Sequence, residues 1–231
     1  MKTFCFLIAG MLLSGMLIAQ SSMCENGYLP FKDGLVYEMT SYNAKGKVTG
    51  IIKSTIEEIN EISDGFKANM HSEIFDEKSK PTYQTSYAIT CQGNALSIDM
   101  SSLLNPEMLA SMSSMDMKFT GDAMEIPNAL SPGQQLPDAS MQMDASMNGM
   151  ALLKMKLNIT DRTVGERERI TTPAGTFDCI RMTQTTVVEG PVKSAYTSTS
   201  WLAQGIGAVR TENYDKKGEI NSYSELTRLN Q

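Results

Sequence analysis

From Thr171 to Gly190 the chain reads TTPAGTFDCIRMTQTTVVEG, and from Ser200 to Leu229 it reads SWLAQGIGAVRTENYDKKGEINSYSELTRL. Runs rich in Thr, Val, Ile, Phe and Tyr are separated here by Gly-Pro and Lys-Gly pairs, which are turn signals. No pattern of nucleophile, general base or metal ligands lies among them. The last third of the chain therefore predicts antiparallel strands joined by tight turns.

The clearest upstream element is a hairpin of Ala139–Met147 against Met150–Ile159. Small and apolar residues alternate with polar ones along both arms, and Asn148-Gly149 is a favoured turn pair. Other strands are expected near Leu35–Tyr42, Lys47–Ile59, Gly65–Phe75, Thr82–Thr90, Asn94–Met100, Glu166–Thr171, Thr176–Val188, Ser194–Trp201, Ala208–Tyr214 and Glu219–Leu229. This pattern favours an antiparallel barrel, half-barrel or sandwich.

Two features interrupt the regular succession of strands. Asn105-Pro106-Glu107 combines an N-cap, a first-turn proline and a first-turn acid, which predicts one short helix ending near Ser111. A strand with Met115, Met117 and Phe119 in phase then turns through Gly121-Asp122 into one with Met124 and Ile126. The expected fold is thus mainly β with one short helix.

The first nineteen residues have the layout of a secretory signal. Lys2 precedes an apolar run that ends at Ala19, where a polar segment begins. The run is shorter than the roughly 20 apolar residues that span a bilayer. We therefore expect a signal peptide over 1–19, a single β domain over 20–231, and a periplasmic or secreted protein that is not integral to the membrane. A lipid anchor on Cys24 is the alternative, although Ser22-Met23 fits a lipobox poorly.

Charge and cysteine content narrow the function further. The net charge of −6 argues against a nucleic-acid partner, because phosphate binding needs a basic surface. Cleavage would leave Cys24, Cys91 and Cys179, which permit one disulfide with a free thiol or three buried thiols. We favour a Cys24–Cys91 bridge, with Cys179 buried beside Phe177.

The methionines are the main candidates for a binding site. Eleven of the 18 lie between Met100 and Met155. Met112, Met115 and Met117, with Met141-x-Met143, have a spacing that resembles copper-handling segments. Their alternation with alanines and leucines instead favours a core or a pocket lining, since thioethers fill irregular apolar space. The proposed lining is Met115, Met117, Phe119, Met141, Met143, Met147, Met155 and Trp201, with no metal and no cofactor.

Two further residues are candidates for a functional role. Trp201 either stacks on a ligand at the mouth of the sheet or packs over the sheet, with packing favoured. His71 is the only histidine, and its neighbour Ser72 would point to the opposite face of a strand. A catalytic base needs an oriented partner and a nucleophile, so the expectation is that the protein is not an enzyme.

Several phrases in fixed order resemble an uncharacterised family of exported bacterial proteins, the TapB-like domains related to domain of unknown function 3108. They are CENGYLPFKDG (24–34), YNAKGK (42–47), LLNPEM (103–108), TPAGTFDC (172–179) and WLAQGIGAVRTENY (201–214). The resemblance implies a strongly curved antiparallel sheet, similar to the half-barrels of periplasmic lipoprotein carriers. It implies no catalytic residues.

The resulting hypothesis is an exported, non-enzymatic β protein that holds an apolar or lipid ligand in a methionine-lined concavity. The alternative is a structural or interaction module of an envelope assembly, with a filled core and a protein partner. A methionine-rich copper binder is the third interpretation. An open cavity of roughly 300 Å³ or more would favour the first over the second.

Overall fold

A computed structural model of the chain describes residues 24, 27–29, 31–100, 104, 112 and 114–230. The signal sequence predicted over 1–19 and the short helix predicted over 105–111 lie outside these residues. Within them the chain forms thirteen β-strands and no α-helix.

All of the strands belong to one antiparallel sheet. In chain order they are β1 Val36–Asn43, β2 Val48–Ile62, β3 Gly65–Asp76, β4 Pro81–Gln92, β5 Ala95–Ile98, β6 Asp116–Gly121, β7 Met124–Pro127, β8 Ala139–Met147, β9 Met150–Thr172, β10 Gly175–Glu189, β11 Ser194–Ala203, β12 Gly207–Tyr214 and β13 Ile220–Asn230. Their order across the sheet is β6-β8-β9-β10-β11-β12-β13-β1-β2-β3-β4-β5-β7. The mainly β fold expected from the sequence is thereby confirmed.

The hairpin of β8 and β9 has the predicted turn. Asn148 and Gly149 have φ angles of 51° and 77°. Positive values at both central positions define the turn type that matches the twist of two antiparallel strands. A register shift at Ala145/Ser146 then places Met143 opposite Met155 and Ala139 opposite Ile159.

Strand β9 differs from the expectation of two separate strands. It continues for 23 residues, from Met150 to Thr172. The polar segment around Thr160 to Thr163 looked like a break, but it stays in the sheet because it pairs with β10 through two register shifts. Bulges of this kind bend a strand without ending its pairing.

Strands β6 and β7 follow each other through Asp122 and Ala123 but do not pair with each other. β6 pairs with β8 and β7 pairs with β5, so the two strands form opposite edges of the sheet. Gly121 passes so close to β8 that a Cβ there would lie 2.3 Å from the carbonyl oxygen of Ser140. The chain itself therefore crosses the gap between the edges of an unclosed, strongly curved sheet. We call this crossing the seam.

Arg162 of β9 holds the seam from inside. Its side chain is 1% exposed. Nη2 donates to the carbonyl oxygen of Glu125 in β7 at 2.8 Å, and Nη1 donates to that of Pro137 at 2.7 Å. Burial lowers the pKa of the guanidinium, while nearby Asp138 and Glu125 act in the opposite direction. A buried cation thus joins the two ends of the sheet through backbone carbonyls.

Two apolar clusters result from this curvature. The larger one joins residues from strands that are far apart in the sheet order, including Ile56, Met70, Leu96, Met143 and Leu202. The smaller one forms where the end of the β9–β10 hairpin meets β11–β13, and contains Cys179, Trp201, Ala203, Val209 and Leu226. The interior of the curved sheet is therefore the place to look for a ligand site.

Candidate functional site

A cavity of about 310 Å³ lies inside the curved sheet. We call it the central cavity. Its apolar floor comes from strands at both ends of the sheet order and from β10 and β11: Ile98, Met124, Ile126, Leu157, Ile159, Met182 and Leu202. Tyr196 also lines the cavity and is 38% exposed, so this side of it reaches solvent.

The rest of the lining on β10, β11 and β12 includes a group of neutral polar side chains. We call it the polar wall: Gln184, Thr186, Ser198, Ser200, Thr211 and Asn213. Directly opposed residues of an antiparallel pair share a face of the sheet. Gln184 is opposite Ser198, and Ser198 is opposite Asn213. One rung of small polar side chains therefore runs across three strands.

Short side chains explain why the cavity exists at this point. Ser200 lies opposite Met182 on one side and Thr211 on the other, and the Ser200 and Thr211 hydroxyl oxygens are 3.0 Å apart. A hydroxymethyl group extends less far from the sheet than the leucines and methionines that fill the interior elsewhere. The polar wall thus leaves space inside the sheet that longer side chains would fill.

Gln184 is the least satisfied member of the polar wall. Its amide oxygen Oε1 is buried and has no hydrogen-bond partner. A buried acceptor without a partner costs about 1–3 kcal/mol in lost solvation. This atom is therefore a point at which the cavity would gain from a donor group.

A second depression of about 340 Å³ shares Asn213 with the central cavity. Its lining includes Ser41, Ser222 and Ser224 together with Ile52 and Ile74. The amide nitrogen Nδ2 of Asn213 donates to the Ser222 hydroxyl at 3.2 Å. Among the described residues, neither lining contains a charged side chain.

The N-terminal segment contributes to the cavity through a disulfide. Cys24 and Cys91 are bonded, with their Cα atoms 5.9 Å apart, which is the pairing that the sequence favoured. Tyr28 and Leu29, a few residues further on, line the central cavity. The bond therefore fastens the segment that carries them to β4.

The predicted lining residues lie mainly elsewhere. Met143 and Met155 face each other in the packed core, 0% and 7% exposed. Phe119 and Met141 line a different cavity of about 380 Å³ beside the seam, where Lys67 and Asp99 are also present. The two edges of the sheet meet at this cavity. Its lining combines charged and apolar side chains.

Three more predicted positions are outside the central cavity. Met115 and Met117 pack against the larger cluster and are partly buried. Met147 is 37% exposed, so its assignment to an inward lining was wrong. The physical reason is its place at the end of β8, beyond a register shift at Ala145/Ser146 and beside the turn.

Trp201 was also wrongly assigned to the lining. It belongs to the smaller cluster, and its indole nitrogen Nε1 donates to Glu168 Oε2 at 3.0 Å. The adjacent Leu202 lines the central cavity. Successive residues of a strand point to opposite faces, so Trp201 points away from it. Packing, the favoured alternative for this residue, is what the structure contains.

Cys179 and His71 are placed apart from the cavity. Cys179 is a buried free thiol, and burial raises its pKa to about 11. His71 lies opposite Ser86 in the β3–β4 ladder, with Nδ1 3.2 Å from the hydroxyl oxygen. Neither residue lines the central cavity.

The polar wall was missed because its sequence looks like an exposed strand. Residues 197–200 read TSTS, so both faces of β11 carry hydroxyls. The available signal was the phase of the alternation. Ser198 and Ser200 share a strand face with the apolar Leu202, and Gln184 and Thr186 share one with Met182. Polar residues in phase with apolar ones indicate an inner face that is not fully packed.

Comparison with known proteins identifies the family. Residues 32–226 match the DUF3108-like family over most of the chain. The chain belongs to the DUF3108-like family. The resemblance noted from the sequence phrases is thereby confirmed. No curated protein matches the sequence.

Two crystal structures have the same fold as this DUF3108-like chain. One is a proposed exported protein with a YmcC-like fold from Bacteroides fragilis NCTC 9343, 24% identical, with a TM-score of 0.75 over 89% of this chain and 100% of that chain. The other is a proposed lipoprotein from Parabacteroides distasonis ATCC 8503, 22% identical, with a TM-score of 0.76 over 89% of this chain and 99% of that chain. At these identities the likeness shows the fold.

Two kinds of feature are absent from the described part of this DUF3108-like chain. It contains no helix of the length and apolar character needed to cross a membrane. It also contains no group of three or more His, Cys, Asp or Glu side chains arranged to hold a metal ion.

Proposed function

We propose that this is an exported, non-enzymatic protein that binds an apolar or lipid-like ligand in the central cavity. The observation that carries the proposal is the cavity itself, about 310 Å³ with an apolar floor, inside the curved sheet. Small-molecule sites are typically concave and mostly apolar, with a few placed polar groups. The central cavity meets each of these criteria.

An extracytoplasmic location supports the same proposal. The N-terminal 19 residues have the layout of an export signal. The two similar structures are described as an exported protein and a lipoprotein. An open apolar cavity in such a compartment suits the uptake or shielding of molecules that are poorly soluble in water.

Catalysis is not part of the proposal. Among the described residues, the cavity lining consists of aliphatic, thioether, hydroxyl, amide and tyrosine side chains. The only histidine contacts Ser86 and lies outside this lining. General acid–base or nucleophilic catalysis needs a titratable group near the operating pH in contact with the substrate. The cavity has groups that orient a ligand rather than groups that react with it.

Filling the cavity tests the proposal. Ala208 lines the cavity, and Ala208→Phe would place a ring inside it. Ala151→Phe is the matched control, because Ala151 is exposed in β9. The probe is prodan, an uncharged dye without a hydrogen-bond donor whose emission shifts in apolar surroundings. Urea unfolding of each variant verifies that the fold is retained.

We expect the wild type and Ala151→Phe to bind prodan alike, and Ala208→Phe to bind it at least about 10-fold more weakly. If a folded Ala208→Phe binds the dye as tightly as the wild type, the central cavity is not the binding site. The protein would then be better described as an envelope module with a filled core that acts through its surface.

A further inference from the structure

The chemistry of the polar wall restricts the class of ligand, and this deepens the proposed function on which it rests. The floor of the central cavity accommodates an apolar chain, whereas one end of the lining is neutral and polar. A purely apolar ligand would leave the buried Oε1 of Gln184 without a partner. The cavity is therefore better matched by an amphiphile than by a hydrocarbon.

The side chains of the lining indicate which charge the polar part of the ligand can carry. Neither the central cavity nor the adjoining depression has a charged side chain among the described residues. The cationic side chains near other openings belong elsewhere: Lys67 lines the cavity beside the seam, and Arg162 lines a polar gap there. A carboxylate or phosphate carried into the central cavity would lose its hydration without gaining a counter-charge.

Hydroxyl groups fit the polar wall better than other neutral groups. A hydroxyl both donates and accepts hydrogen bonds. It can donate to Gln184 Oε1 and accept from Ser198, which lies directly across the ladder from Gln184. The rung continues through Asn213 to Ser222, so further hydroxyls of one ligand could be met in the second depression.

We infer that the ligand is an uncharged amphiphile whose hydroxylated head group contacts the polar wall at Gln184, with its apolar chain on the floor of the central cavity. A monoacylglycerol or an alkyl glycoside has this chemistry. A fatty acid of the same chain length, ionised at pH 8, does not.

Competition against bound prodan tests the inference. The two competitors are 1-monolauroylglycerol and laurate, at pH 8 and below their aggregation concentrations. They carry the same twelve-carbon acyl chain and differ in the head group. We expect the monoacylglycerol to displace the dye at a concentration at least about 10-fold lower than laurate, because no cationic side chain lies among the described residues of the lining.

Gln184→Met tests the residue itself, since methionine has a similar shape and no hydrogen-bonding amide. We expect it to weaken monoacylglycerol binding by roughly 3- to 10-fold and to change prodan affinity less, because prodan has no donor group for Gln184 Oε1. Gln84→Met is the matched control, because Gln84 is exposed on β4, and it should change neither affinity.

The outcomes separate this inference from the proposed function. If laurate competes as well as the monoacylglycerol, or if Gln184→Met leaves monoacylglycerol affinity unchanged, the inferred head-group chemistry is wrong. The central cavity would remain the binding site provided that Ala208→Phe still weakens prodan binding. If prodan binding does not depend on the cavity, both proposals are wrong together.

Discussion

The β8–β9 hairpin and the strands β10–β12 face the same interior, but they use it differently. The hairpin places Met143 and Met155 opposite each other, and these long thioethers fill the space. The strands β10–β12 place Ser198 and Ser200 at corresponding positions, and these short side chains leave the central cavity open. Side-chain length at inward positions, rather than methionine content, decides where the sheet can hold a ligand.

The interior around Met143 and Met155 is the filled half of the sheet, and the interior around the central cavity is the open half. The largest expected effect comes from placing a charge in the filled half. Met143→Asp should lower the free energy of unfolding by at least about 4 kcal/mol, because a buried carboxylate loses its hydration and gains no partner. Met150→Asp is the matched control, since Met150 is 66% exposed in the same hairpin and should tolerate the change. Urea unfolding measures both. If Met143→Asp unfolds like the parent, Met143 faces water and the copper interpretation becomes the better one.

The second prediction concerns the N-terminal segment that the disulfide holds beside the central cavity. Removing the Cys24–Cys91 bond by a double Cys→Ala substitution should cost about 3 kcal/mol, because the bond closes a loop with a sequence separation of 67 residues. Prodan affinity should fall as well, since Tyr28 and Leu29 line the cavity close to Cys24. Thermal unfolding and dye titration measure the two effects. Unchanged dye affinity would mean that this segment does not shape the cavity.

A third prediction compares the same substitution in both halves. Met143→Ala should cost about 3 kcal/mol, in the usual range for a fully packed methionine. Met182→Ala should cost about 1 kcal/mol less, because part of the Met182 side chain faces the central cavity and not protein atoms. Urea unfolding at constant ionic strength measures the difference. Equal costs would indicate that the interior around Met182 is as tightly packed as that around Met143.

The smallest predicted effect lies in the second cluster, outside both halves. Burial raises the pKa of Cys179 to about 11 from its ordinary value of 9.0. Between these values the unfolded thiol releases its proton and the folded one retains it, so stability falls as the pH rises from 9 to 11. Cys179→Ala should therefore lose less stability than the wild type over this interval, by up to about 2 kcal/mol. Parallel pH–stability profiles that do not diverge would place the thiol in contact with solvent.

Local patterns were sufficient to predict the hairpin and most strands. The Asn148-Gly149 turn identifies the hairpin, and alternation indicates that Met141 and Met143 share one face. The exposure of Met147 depends on a bulge, which alternation alone does not reveal. Local sequence patterns therefore predicted the hairpin but not the exposure of Met147 at its irregular end.

The cavity and the seam depend on long-range placement. The hydroxyls of Ser198 and Ser200 look solvent-exposed in the sequence, but β11 lies inside a thirteen-stranded sheet that curves around them. Gly121-Asp122 looks like a hairpin turn in the sequence, yet the strands that it connects form the two edges of the sheet. Both features follow from the curvature of the whole sheet, which no local window of sequence contains.

Methionine methyl groups report on both halves in one measurement. Labelling them with ¹³C, assigning each by a Met→Leu variant and adding 1-decanol would show by NMR where an uncharged amphiphile binds. The methyl resonances of Met124 and Met182 should shift on addition, because these side chains line the central cavity, and those of Met143 and Met155 should stay in place. Shifts confined to Met143 and Met155, or no saturable shift at Met124 and Met182, would contradict the account.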